Sequence, residues 1–141
     1  MVILMNGAAA PSTPNRNTNM NAETLATDLA HFSGSDEFTR TSRRMVVTSG
    51  VKYLADKAGA YWLIDLIDSH QFTPRVAREP FQVWTLTLNK SGSGAKVEAE
   101  DGNGNRIAVQ RIPYTDFPLQ TIKLYCEAAE GFRVTMLPGE R

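Results

Sequence analysis

Residues 50–70 read Gly-Val-Lys-Tyr-Leu-Ala-Asp-Lys-Ala-Gly-Ala-Tyr-Trp-Leu-Ile-Asp-Leu-Ile-Asp-Ser-His, and this stretch decides the fold. Its apolar residues recur at helical spacing on both sides of Gly59. The first pattern predicts a helix over residues 50–58 that Thr48 or Ser49 caps and Gly59 ends. The second predicts a helix from about residue 60 to residue 69, with acids and aromatic residues on its polar side.

The sequence before this stretch divides into an extension and a first helix. Residues 6–19 are rich in Asn, Pro, Ala, Thr and Ser and show no hydrophobic period. We therefore predict a flexible N-terminal extension over residues 1–19 and a single domain over residues 20–141. Asn21 is a suitable N-cap for a helix over residues 22–30. The apolar run at residues 45–47 predicts either an edge strand or a buried connector.

After residue 80 the hydrophobic period changes from helical to two. In residues 81–89, Trp84, Leu86 and Leu88 alternate with residues of the other face. The dipeptides Asp-Gly and Asn-Gly at residues 101–104 indicate a tight hairpin. The sequence thus predicts an α+β domain, with N-terminal helices packed on one face of a four-stranded antiparallel meander that a fifth strand would extend. The strand segments are residues 81–89, 96–100, 107–112, 121–126 and 132–137.

Composition restricts the classes of function. The 141 residues carry fifteen basic and fifteen acidic side chains, and this neutral balance argues against a protein that chiefly neutralises nucleic-acid phosphates. Cys126 is the only cysteine, so no intrachain disulfide forms, and we expect a buried thiol in a cytoplasmic protein. With His31 and His70 it forms no paired ligand motif, so we predict no metal site, no cofactor and no catalytic constellation. No run approaches the roughly twenty apolar residues that cross a bilayer.

Two tyrosines are not explained by the predicted core. Tyr53 falls outside the buried stripe of its helix, and Tyr61 lies on the acidic side of the next helix with Asp65 and Asp68. Tyrosines are common at protein interfaces. We therefore interpret the chain as a non-catalytic protein-interaction module with these four residues as partner-binding candidates. In the alternative interpretation, a loop at residues 75–80 or 114–118 covers the rings.

Two other functions remain open. The first is nucleic-acid binding through Arg43, Arg44, Arg75 and Arg78, which with Arg40 would converge into a basic patch. The second is an enzyme whose site assembles from distant residues, with Tyr61, Asp65 and His70 as the candidate group. For His70 alone, the alternative is a structural role, in which the side chain lies at the C-terminus of a helix and interacts with the helix dipole.

The apolar side chains of Phe81 and Val83 leave the oligomeric state open. They lie on the strand face opposite Trp84, where solvent is expected. Either a loop of the chain or another subunit covers them, so a homo-oligomer is one expectation.

The sequence also resembles a known family. The residues that carry the resemblance are 50–65, quoted above, Pro-Phe-Gln-Val-Trp at 80–84 and Tyr-Thr-Asp-Phe-Pro at 114–118. They are similar to a family of short uncharacterised proteins, encoded by bacteria, plasmids and phages and classed as a domain of unknown function. The similarity spans roughly residues 20–138. It implies a mobile genetic element and a cytoplasmic host, and it assigns no residue a function. Modulation of a host process or defence system is one role of the interaction module interpreted above.

Overall fold

The computed structural model describes residues 14–34, 37–90 and 93–141. The predicted extension lies for the most part outside these residues. The elements, numbered in chain order, are α1 (Pro14–Leu29), β1 (Phe38–Arg40), β2 (Met45–Thr48), α2 (Ser49–Ala58), α3 (Tyr61–His70), α4 (Pro74–Ala77), β3 (Phe81–Leu88), β4 (Ala95–Glu100), β5 (Arg106–Ile112), β6 (Thr121–Ala128), β7 (Arg133–Met136) and a 3₁₀ helix (Pro138–Glu140).

The described strands form one seven-stranded mixed sheet in the order β1-β2-β7-β6-β3-β4-β5. The α+β class is confirmed, but the predicted four- or five-stranded antiparallel meander is wrong. In a meander β6 would pair with β5, its predecessor in the chain. Here β6 pairs with β3, with Trp84 opposite Leu124. In addition, β2 pairs with β7 in parallel, with Met45 opposite Arg133.

Strand composition explains this order. Residues 109–111 of β5 are exposed, which suits a strand at the edge of the sheet. In β6, Leu124 and Cys126 are buried, which suits a strand between two neighbours. All four residues of β2 are buried, so residues 45–47 belong to an interior strand and not to an edge strand or a connector.

The two helices of the opening stretch form as predicted, within one or two residues. The Thr48 side chain accepts a hydrogen bond from the Val51 backbone N–H at 3.4 Å and caps α2. Gly59 ends this helix in the left-handed conformation, at φ 61°. The predicted N-cap at Asn21 is wrong, because α1 begins at Pro14 and continues through residue 21.

The core lies between the helices and one face of the sheet. Leu25, Leu54 and Ile67 from α1, α2 and α3 pack with Trp84 and Leu86 of β3 in one buried cluster. The prediction that the Trp84 and Leu86 face lies under the helices is therefore confirmed. Among the described helices, none is both long enough and apolar enough to span a bilayer.

The opposite face of β3 is partly covered by the chain itself. The Phe81 and Tyr125 rings meet edge to face with centroids 5.0 Å apart, and the Arg141 guanidinium lies 4.3 Å from the Phe81 centroid. The hairpin after β4 approaches the same ring, since a Cβ atom on Gly102 would lie 3.0 Å from it. These contacts favour coverage by the chain's own segments, and the homo-oligomer stays a prediction.

Candidate functional site

A cleft forms where the chain enters the parallel pair of strands. The Arg133 N–H donates to the Arg44 carbonyl oxygen at 2.6 Å, so the residue that starts β7 lies beside the residue that precedes β2. Arg44, Phe132 and Arg133 line a cavity of about 270 Å³ with Gln71 and Ala77. With Phe72, which contacts Arg44, we call this site the arginine–phenylalanine cleft.

The arginines of the cleft are held by aromatic rings and carbonyl groups. The Arg44 guanidinium lies 4.2 Å from the centroid of Phe72, a ring that is 66% exposed. Arg133 Nη2 donates to the Ala77 carbonyl at 2.8 Å. Nearby, the Arg40 guanidinium lies 5.9 Å from the Phe132 centroid and donates to the Arg43 carbonyl at 2.7 Å. Such contacts orient a guanidinium without neutralising its charge.

No carboxylate forms an ion pair with these three arginines within residues 22–34, 37–90 and 93–141. Basic residues elsewhere do have acidic partners: Lys52 with Asp56 at 2.8 Å and Arg106 with Glu98 at 2.7 Å. Among the described residues, the cleft thus concentrates positive charge that no ion pair offsets, on a protein whose net charge is zero.

The floor of the cleft is a buried network of amide side chains. Gln71 and Gln82 exchange two hydrogen bonds, at 2.8 and 3.0 Å, and Trp84 Nε1 donates to Gln82 Oε1 at 2.9 Å. Gln82 Nε2 also donates to the Val76 carbonyl at 2.8 Å. Because the donors and acceptors of these side chains are satisfied, the network holds the end of α3 firmly against β3.

Behind the cleft, one atom of Asp68 and one of Arg133 are buried without a hydrogen-bond partner among the described residues. The atoms are Asp68 Oδ1 and Arg133 Nη1. Both residues lie close enough to Cys126 to affect its pKa, which burial raises. The thiol is therefore a core group, as the sequence predicts, and not a nucleophile.

The structure separates the four partner-binding candidates. Tyr53 packs on Phe32 with centroids 5.5 Å apart, and its hydroxyl donates to Asp28 Oδ2 at 2.5 Å. This contact comes from α1, whereas the alternative interpretation of the sequence expected a loop at residues 75–80 or 114–118. Pro118, from the second of these loops, borders the same pocket. Both the hydrogen bond to Asp28 and burial raise the pKa of Tyr53.

Tyr61, Asp65 and Asp68 do not share one contact surface. Tyr61 is 41% exposed and its hydroxyl donates to Asp56 Oδ1 at 2.6 Å, which raises the pKa of Tyr61. Asp65 is exposed, whereas Asp68 is half-buried and directs Oδ1 into the interior. The exposed Tyr61 ring and Asp65 remain available for a partner, but the Tyr61 hydroxyl is held by Asp56, which in turn pairs with Lys52.

The predicted basic group is brought together only in part. Arg44 lines the cleft, and Arg78 directly follows Ala77 of its wall. Arg75 points elsewhere, since its Nη2 donates to the Arg106 carbonyl at 2.8 Å, and Arg43 is exposed on the turn before β2. The sequence analysis missed three residues of this region, because the pairing of distant strands and loops places them there: Phe72, Phe132 and Arg133.

The candidate enzyme group has separate partners. His70 Nε2 lies 2.8 Å from Gln110 Oε1, and its ring packs on Trp84 with centroids 5.4 Å apart, so His70 faces the sheet at the end of α3. Tyr61 is bonded to Asp56, so Tyr61 and His70 are each engaged with a separate partner. Within the described ranges, no three His, Cys, Asp or Glu residues are grouped to hold a metal ion.

A larger groove, of about 710 Å³, lies at the end of α1 and is mostly apolar. Leu29, Phe32, Ile122 and Leu137 form much of its wall. It lacks the two arginines and the exposed Phe72 ring of the arginine–phenylalanine cleft, so the cleft is the better candidate for specific recognition.

Comparisons with known proteins support the fold and name no activity. A family model described as a family of unknown function matches residues 23–141. No curated protein matches the chain. The crystal structure of a protein of unknown function from Enterococcus faecalis is similar, with a TM-score of 0.53 and 16% identity over 72% of this chain and 93% of that one. At this identity the likeness shows the fold alone.

Proposed function

Because this chain belongs to DUF6876, a family of unknown function, we propose its function from its own surface: a non-catalytic module that binds an acidic segment of a partner protein in the arginine–phenylalanine cleft. One observation supports this most directly. Arg44, stacked on Phe72, and Arg133 line one cleft and have no ion-pair partner among the described residues.

The chemistry of the cleft suits carboxylates. A guanidinium presents its N–H donors in a planar fork that matches two carboxylate oxygens. Stacking on Phe72 occupies one face of Arg44 and leaves the edge with the N–H donors available. Arginine and aromatic residues are also the types that contribute most to binding at protein interfaces.

A protein partner fits the charge of the molecule better than a nucleic acid does. Strong phosphate binding comes from many basic residues that displace counterions, and a neutral chain offers little long-range attraction for a polyanion. The cleft holds two arginines with a third nearby, and Phe72 is the exposed ring beside them. That arrangement suits a short acidic segment and does not form a continuous track for a strand of nucleotides.

A binding assay with matched arginine variants tests the proposal. We expect a fluorescein-labelled peptide of alternating aspartate and valine to bind the wild-type protein, as measured by polarisation. Arg44→Ala removes one charge-assisted contact, so the peptide should bind about tenfold more weakly. Arg75→Ala removes the same charge outside the cleft and should leave binding nearly unchanged.

Two outcomes would contradict the proposal. Equal weakening by Arg44→Ala and Arg75→Ala would show that only overall charge matters. Binding of a labelled oligothymidine, but not of the peptide, would favour the nucleic-acid alternative, and its affinity should then fall steeply with salt concentration.

A further inference from the structure

We infer that the acidic group recognised in the arginine–phenylalanine cleft is a phosphorylated serine or threonine side chain of the partner. This inference rests on the proposed function and narrows the chemistry of its ligand. It starts from the charge that the cleft leaves uncompensated.

The positive charge of the site exceeds what one carboxylate balances. Arg40, Arg44 and Arg133 supply three guanidinium groups, and no ion pair joins them to a carboxylate among the described residues. The half-buried Asp68 behind the cleft offsets at most one of them. A carboxylate or a nucleic-acid phosphodiester carries one negative charge. A phosphate monoester carries a charge of about −1.5 to −2 at neutral pH and has three acceptor oxygens.

The backbone places two of the guanidinium groups beside one cavity. Arg44 and Arg133 are joined by the 2.6 Å hydrogen bond between their main chains, and both side chains line the same cavity of about 270 Å³. Arg133 uses Nη2 for the Ala77 carbonyl and has Nη1 buried, so it contributes charge to the cavity, whereas Arg44 is braced by Phe72 and presents the N–H donors. Each guanidinium is therefore oriented before a ligand arrives, which lowers the entropic cost of ordering it on binding.

The surroundings of the arginines favour a side-chain phosphate over free phosphate. The Phe72 ring, 66% exposed, stands next to Arg44, and Phe132 forms part of the cleft wall. Burying these apolar surfaces requires a ligand with apolar atoms on both sides of its phosphate, as a peptide has. Inorganic phosphate would contact the arginines alone.

Three matched peptides test the inference. They share one sequence with aromatic and aliphatic flanks and differ only in a central serine, glutamate or phosphoserine, and polarisation measures each affinity at constant ionic strength. We expect the phosphoserine peptide to bind at least about tenfold more tightly than the glutamate peptide. Arg44→Lys keeps the charge and loses the planar fork, so it should remove most of this preference.

The pH dependence provides a second readout. The second pKa of a phosphate monoester is about 6, so binding of the phosphoserine peptide should weaken as the pH falls from 7 to about 5. A glutamate side chain, with a pKa near 4.3, stays ionised over most of that range, so the glutamate peptide should be much less affected.

The outcomes separate this inference from the proposed function. If the glutamate and phosphoserine peptides bind equally, the inference is wrong and the acidic-segment function stands. If neither binds above the serine peptide, both are wrong. If oligothymidine displaces the phosphoserine peptide at equal phosphate concentration, or inorganic phosphate binds as tightly as that peptide, the side-chain phosphate is not the preferred source and the inference is overturned.

Discussion

The Glu140 carboxylate lies at the N-terminus of α2, where its Oε2 accepts a hydrogen bond from the Gly50 backbone N–H at 2.9 Å. The other oxygen, Oε1, accepts from the Thr48 hydroxyl and from the Leu137 N–H at 3.0 Å. Glu140 is 7% exposed, so these bonds are shielded from water. Glu140, which lies 90 positions after Gly50 in the chain, thus places a negative charge at the positive N-terminal end of α2.

Replacing this carboxylate should destabilise the protein. Glu140→Ala leaves the buried Gly50 N–H and Thr48 hydroxyl without their acceptor, and we expect a loss of about 2 kcal/mol in the free energy of unfolding. Urea denaturation should show a lower midpoint with an unchanged m-value. Glu130→Ala, an exposed change of the same type, is the control, and equal midpoints for the two variants would contradict this role of Glu140.

Local pattern predicted the parts of the fold that depend on near neighbours in sequence. The alternation of Trp84 and Leu86 correctly identified the buried face, and Gly59 correctly marked the break between two helices. Strand order depends on which distant segments pair, and the alternation within a single strand does not specify its neighbours. The parallel pairing of β2 with β7 likewise has no local signal, because β2 is buried on all four residues and shows no alternation.

The same limit explains what was missed at the site. Arg44 appeared among the candidates because arginines are close together in its own segment. Its neighbour Arg133 lies 89 positions further along the chain and is placed by the β2–β7 pairing. The pattern of α2 alone leaves Tyr53 outside the buried stripe, and it does not show that Asp28 of α1 accepts the hydrogen bond from the Tyr53 hydroxyl. Charge alone therefore could not identify the cleft.

The glutamine network should behave as one unit. Gln82→Leu conserves approximate volume but leaves the Trp84 indole N–H without its acceptor and Gln71 Oε1 without its donor, so we expect a loss of about 2–4 kcal/mol. Gln71→Leu should cost less, since Gln82 keeps its other contacts. The double variant should cost less than the sum of the two, because Gln71 no longer needs Gln82.

A double-mutant cycle measures this coupling by urea denaturation. Fluorescence provides an independent signal, because the Trp84 indole loses its hydrogen bond in the Gln82→Leu variant. A Trp62→Phe background removes the emission of the other tryptophan. Additive losses in stability would contradict the picture of a shared network.

Substitutions at Gly59, which ends α2, should separate the effect of backbone conformation on stability from the effect of helix propensity. Gly59 has φ 61°, and no heavy atom lies within 4 Å of a Cβ built there, so strain comes from the backbone alone. Gly59→Ala should cost about 1–2 kcal/mol even though alanine favours helices. Gly59→Asn should cost less, because asparagine tolerates the left-handed region. Thermal or urea unfolding that ranks alanine above asparagine would be inconsistent with this account.

The hydrogen bond between Tyr53 and Asp28 should make the free energy of unfolding decrease as the pH rises in the alkaline range. Donation to the Asp28 carboxylate, together with burial, raises the pKa of Tyr53 above its ordinary value of about 10. A group whose pKa is raised by folding contributes its full stabilisation below the unfolded-state pKa and loses it as the pH rises through the folded-state pKa. The free energy of unfolding of the wild-type protein should therefore exceed that of Tyr53→Phe at neutral pH, and the gap should narrow above about pH 10. Urea midpoints of both proteins across this range measure the gap, and a separation that stays constant with pH would show that the hydroxyl does not act through its proton.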